Sequence, residues 1–188
     1  MRLNPFGGCV TSNLQLILGG ARSGKSAYAI AQGDENSFES LNFLATASAG
    51  DEEMKKRIER HRADRNNRWN LVEEPYHLAE ALTQLGGEEK NLVVIDCATL
   101  WISNLLCGMG GKILTVPEIE KEFEKLMGSL KQHKGSIRIV SNEVGLGIVP
   151  DNFLARQFQD LQGELNKSLA SVATQVILMT AGLPRKIK

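Results

Sequence analysis

The sequence predicts a single α/β domain in which a mainly parallel sheet is flanked by helices. Short apolar runs alternate along the chain with longer helical patterns, the order that builds a parallel sheet through helical crossovers. The run NLVVIDC (Asn91–Cys97) is β-branched and continuous rather than alternating, as in a strand buried on both faces. The 188 residues suffice for one sizeable core, and no internal repeat or low-complexity linker divides them.

The elements follow in order. Residues 1–13 are polar, carry Pro5, Gly7 and Gly8, and read as a loose leader without the apolar centre of a signal peptide. LQLILGG (Leu14–Gly20) reads as a buried strand entering a glycine turn, and SAYAIAQG (Ser26–Gly33) as the helix after it. LNFLATA (Leu41–Ala47) is a second strand. DEEMKKRIERHRADR (Asp51–Arg65) is helical, and its Met54, Ile58 and His61 share one face at i, i+4, i+7. NLVVIDC is the next strand. VPEIEKEFEKLMGSLKQH (Val116–His133) is a helix with Pro117 at its start and Ile119, Phe123, Leu126 and Leu130 on one side. IRIVSNE (Ile137–Glu143) is a strand, NFLARQFQDLQGELNKSLASVA (Asn152–Ala173) a long amphipathic helix, and QVILMTAGLP (Gln175–Pro184) the last strand.

Composition excludes several classes. Twenty-two Lys and Arg balance twenty-two Asp and Glu, so no global field recruits nucleic acid or an anionic membrane, and attraction for anions must be local. Cys9, Cys97 and Cys107 are an odd set without CxxC spacing. That argues against a disulfide framework or structural zinc and fits a reducing, cytoplasmic setting. No run approaches the roughly 18 apolar residues of a membrane span.

The chemistry starts at GGARSGKS (Gly19–Ser26), which matches G-x-x-x-x-G-K-[ST] in full, with a strand before it and a helix after it. In such a P-loop the backbone amides wrap phosphate oxygens, and glycines permit the close approach. Lys25 is expected to reach the β- and γ-phosphates and Ser26 to ligate Mg²⁺. Asp96, at the end of an apolar strand, is the expected second carboxylate for Mg²⁺.

RIERHRADR (Arg57–Arg65) is harder to read. By spacing alone it is an ordinary exposed helix, because Asp51, Glu52, Glu53, Glu59 and Asp64 interleave with its bases. The face shared with Met54 and Ile58 turns His61 inward or into a cleft. A neutral imidazole there is a good nucleophile toward an activated phosphate, and neighbouring arginines would keep it neutral while offsetting charge on the phosphate oxygens. Glu73 and Glu74 read as a surface acidic pair or as acceptors for a guanine or ribose. The glycine-bearing loop SNEVGLGIVPDN (Ser141–Asn152) is a candidate substrate loop or a plain connection. His77 and His133 read as structural or surface residues. These residues leave open a transferase with a covalent histidine intermediate, a monofunctional small-molecule P-loop kinase, and a P-loop regulatory ATPase.

Taken together, GGARSGKS, ATASAGDEEMKKRIERHRADR, W-x-LVEEP, DCATLWISNLL, the SNEVGLGIVPDN segment and AGLP-x-x-IK resemble the bifunctional adenosylcobinamide kinase/adenosylcobinamide-phosphate guanylyltransferase family. The resemblance runs from about Leu14 to Lys188 and implies a P-loop NTPase-like fold. It implies phosphorylation of the aminopropanol hydroxyl of adenosylcobinamide by ATP or GTP. It then implies transfer of GMP from GTP through a GMP–histidine intermediate, giving adenosyl-GDP-cobinamide and pyrophosphate. The intermediate would form on His61, with Lys25 also catalytic. Nucleotide contacts would come from Gly19, Gly20, Ala21, Arg22, Ser23, Gly24, Lys25 and Ser26, then Ala45, Thr46 and Ala47, then Arg62, Ala63, Asp64 and Arg65, and from Glu73 and Asp96. Ser26 and Asp96 would hold Mg²⁺. A homotrimer is implied as well. Some relatives carry Glu where this chain has Asp96.

Overall fold

The computed structural model describes residues 13–31, 37–47, 68–86, 88–108 and 111–188. The expected leader, all but its last residue, and the whole Asp51–Arg65 helix lie outside the described residues.

Among the described residues, seven strands form one sheet: β1 (Asn13–Gly19), β2 (Ser40–Ala45), β3 (Trp69–Glu73), β4 (Asn91–Asp96), β5 (Ser136–Asn142), β6 (Gln175–Thr180) and β7 (Leu183–Lys186). The helices are α1 (Lys25–Ala31), α2 (Leu78–Gln84), α3 (Ala98–Cys107), α4 (Val116–Gln132) and α5 (Phe153–Val172). The strand order is β3-β2-β4-β5-β1-β6-β7. Every pairing is parallel except β6 with β7.

The unbroken apolar runs are explained by two cores, one on each face. Val93 and Ile95 of β4 join Trp101, Ile119, Leu126 and Leu165 on one side. Leu92 and Val94 join Ile17, Ala29 and Phe43 on the other. A strand whose neighbours project to opposite faces needs no polar face when both are covered.

α4 starts at a capping box: the Thr115 amide donates to the Glu118 carboxylate at 2.8 Å. Those Thr115 bonds, aided by Lys112, hold the Glu118 carboxyl down at about 2. α5 starts at Asn152, whose side chain accepts from the Ala155 amide.

One expected element divides. The last strand ends at Thr180, and Ala181 (φ 51°) and Gly182 (φ 82°) turn the chain back into antiparallel β7. β3, α2 and α3 were not expected from periodicity; each is only 5 to 10 residues long.

Candidate active site

Parallel pairing aligns the carboxyl ends of the strands. Gly19 lies in register with Asn142 and Met179, and Ala45 with both Glu73 and Asp96. Ligands of open α/β sheets bind along this edge. Here the edge opens into a cleft of about 370 Å³, within the usual range for ligand pockets. Ala21, Arg22, Ser23, Gly24, Lys25 and Ser26 form one wall. Ala45, Ala47, Asp96, Cys97 and Asn142 come from the strand ends, and Phe43, Leu71, Leu100 and Val140 supply apolar lining.

The loop has the conformation its glycines allow. Gly19 takes φ 150°, and a Cβ there would sit 2.5 Å from the Met179 carbonyl oxygen. Arg22 (φ 56°) and Gly24 (φ 93°) occupy left-handed backbone, so successive amides curve into an anion-binding concavity. The Lys25 side chain is only 7% exposed. Its ammonium donates to the Gly20 carbonyl at 2.6 Å, which keeps a buried cation solvated by its own loop. The Gly182 amide donates to the Ser23 carbonyl, so the β6–β7 turn braces the loop from behind.

Thr46 is placed differently from its neighbours. Ala45 and Ala47 line the cleft, whereas the Thr46 side chain is fully buried. Its hydroxyl donates to the Cys97 carbonyl at 2.7 Å and accepts from the Cys97 amide at 2.8 Å. It thereby locks the end of β2 to the end of β4, beside Asp96. The Asn104 amide continues the lock by donating to the Thr46 and Pro75 carbonyls. Glu73 is exposed at the end of β3 and is not part of the cleft lining. Glu74 accepts from the Tyr76 and His77 amides and shapes the turn into α2. His133 is buried, and burial pulls its imidazole below the ordinary value. His61 and Arg62–Arg65 lie outside the described residues.

Sequence reasoning missed Cys97 and Leu100, which follow Asp96, and did not single out Asn142 within its loop. Position at the carboxyl end of a strand was the available signal. The Cys97 thiol is pushed up to about 12, first by burial and then by the Asp96 carboxylate. It is therefore expected to stay a thiol at pH 8. Iodoacetamide treatment of the native protein followed by peptide mapping should find Cys107, which is exposed, alkylated and Cys97 unmodified. Alkylation of Cys97 before unfolding would contradict this burial.

The donor set fits Mg²⁺. A serine hydroxyl and one carboxylate face the same cleft, and no cluster of three His, Cys, Asp or Glu exists among the described residues. Mg²⁺ takes few protein ligands and completes its shell with water and phosphate. No described helix is long and apolar enough to cross a membrane.

Comparison with known proteins gives a consistent result. A family model described as cobinamide kinase/cobinamide phosphate guanyltransferase matches residues 15–187. The chain is 41% identical to the bifunctional adenosylcobalamin biosynthesis protein CobP of Pseudomonas aeruginosa, over 92% of this chain and 96% of that one. It is 36% identical to the bifunctional adenosylcobalamin biosynthesis protein CobU of Escherichia coli, over 92% and 98%. Identity to the Salmonella typhimurium protein of the same name is also 36%, with the same coverage. Among solved structures, an ATPase domain superposes with a TM-score of 0.53 at 15% identity, covering 91% of this chain and 70% of that chain. This likeness is one of fold.

Proposed function

Since the chain belongs to the cobinamide kinase/cobinamide phosphate guanyltransferase family, we propose that it phosphorylates the aminopropanol hydroxyl of adenosylcobinamide and then guanylylates the product. The observation that carries this reading is the convergence of Lys25, Ser26 and Asp96 on one cleft. In the kinase step the loop amides of Gly19–Ser26 bind the phosphates of ATP or GTP, and Lys25 leaves the Gly20 carbonyl to follow the transferring phosphoryl group. Ser26 and Asp96 would hold Mg²⁺, which when bound would supply charge neutralisation for the phosphate oxygens.

In the second reaction an imidazole nitrogen of His61 attacks the α-phosphorus of GTP, and pyrophosphate leaves. The phosphate oxygen of adenosylcobinamide phosphate then attacks the same phosphorus, and His61 is released. Arg62 and Arg65 offset the charge on the α-phosphate, while Glu73 accepts from the guanine or ribose. The exposed Leu146, Ile148 and Val149 of the loop after β5 offer apolar surface to the corrinoid. The domain over residues 14–188, a homotrimer and a cytoplasmic setting belong to the same reading.

The test uses GTP labelled at the α-phosphate, with Mg²⁺, followed by denaturation. The wild type should carry an acid-labile, base-stable label, and His61→Ala should carry none. A wild type without covalent label would sink the guanylyl-transfer reading and leave a monofunctional kinase.

A further inference from the structure

Transfer to an alcohol needs a group that takes the hydroxyl proton, and neither Lys25 nor the loop amides can accept one. We propose that Glu143 is the general base of the kinase step and that Asn166 positions it; this rests on the kinase reading above. The backbone places Glu143 against the P-loop: its amide donates to the Gly19 carbonyl at 3.1 Å. Side chains alternate at the end of β5. Asn142 faces the nucleotide cleft, while Ser141 and Glu143 face α5. In-line transfer places the attacking oxygen opposite the leaving diphosphate. Glu143 stands at the same strand end as the nucleotide cleft without lining it, so this role requires the acceptor hydroxyl to enter over that carboxylate.

The carboxylate is held for that role. The Asn166 amide donates to Glu143 Oε1 at 3.3 Å and to the Asn142 carbonyl at 3.0 Å. Asn166 is itself buried, and its Oδ1 accepts from Ser141 Oγ at 2.7 Å and from Gln162 Nε2 at 3.0 Å. Three buried polar side chains on β5 and α5 thus converge on one strand end. A core that only needed packing would be apolar there, since buried polar groups cost stability, the more so as Gln162 Oε1 has no partner in this network. In the reaction the substrate O–H proton passes to Glu143, the oxygen bonds to the γ-phosphorus, and the bond to the β–γ bridging oxygen breaks. The nucleoside diphosphate leaves with that electron pair.

Glu143→Gln preserves shape and can still accept from Asn166. With ATP and adenosylcobinamide, its kinase kcat should fall by about 100-fold or more. Its KM values, its GTP affinity and its GMP labelling from α-labelled GTP should stay at wild-type levels. Asn166→Ala should lower kcat about tenfold, an order-of-magnitude expectation for a lost positioning contact. The double variant should be no slower than Glu143→Gln alone, because the two act as one unit. Kinase turnover within threefold of wild type in Glu143→Gln would overturn the assignment while the kinase reading stood. Parallel loss of GTP affinity would overturn it too, making Glu143 a support of the loop. A wild type that does not phosphorylate adenosylcobinamide would overturn both the kinase reading and this assignment.

Discussion

Lys25→Ala is expected to lower kcat/KM for both reactions by about 100- to 1,000-fold, the usual cost of removing a positioned electrostatic donor from a transition state. The two activities fall together because both draw on one phosphate cradle. The fold should survive. The lysine is 7% exposed and has its ammonium on the Gly20 carbonyl, so alanine removes a buried cation together with its desolvation cost. Steady-state rates for both reactions, a GTP titration and a thermal melt separate these effects. Unchanged GTP affinity would contradict the shared cradle, and a collapsed melting curve would make the loss structural.

Trp101→Ala carries the largest expected effect on stability. The indole is completely buried, lies 5.7 Å centroid to centroid from Phe123, and donates through Nε1 to the Tyr76 carbonyl at 2.8 Å. Truncation leaves a cavity and strips that carbonyl of its donor, costing about 3–5 kcal/mol. For a chain of this size the melting temperature should fall by about 10 °C. Calorimetry of Trp101→Ala beside Trp101→Phe checks it. The phenylalanine variant keeps most of the volume and should lose much less. Equal, small losses in both would show that the site collapses around the gap.

What could be read from the sequence depended on how local the signal was. β1, β4 and β5 were legible because continuous apolar runs have few alternatives, and the P-loop because its glycines, lysine and serine sit within eight residues. α2 and β3 were not, since 7 and 5 residues hold too little periodicity to declare a type. The turn at Ala181 stayed hidden because alanine rarely takes a positive φ. Thr46 entered as a nucleotide contact through the family resemblance, and the bond of its hydroxyl to Cys97, 51 residues away, was not foreseen. No local pattern encodes such a partner. Glu143 was similarly opaque: its place in the reaction depends on Asn166, which arrives from another helix.

The position of β1 in the middle of the sheet has a consequence for biosynthesis. Of the described strands β1 is synthesised first, yet both strands that flank it, β5 and β6, come from the last third of the sequence. On the ribosome, at about 5–20 residues per second, LQLILGG therefore waits several seconds or longer for a partner. Throughout that interval it is an unpaired apolar strand, the kind of segment that chaperones hold and that aggregates when they do not. The brace on the phosphate cradle comes later still, once the Ala181–Gly182 turn has emerged and the Gly182 amide has reached Ser23. A chain stalled before β6 would carry the intact GGARSGKS motif without that brace.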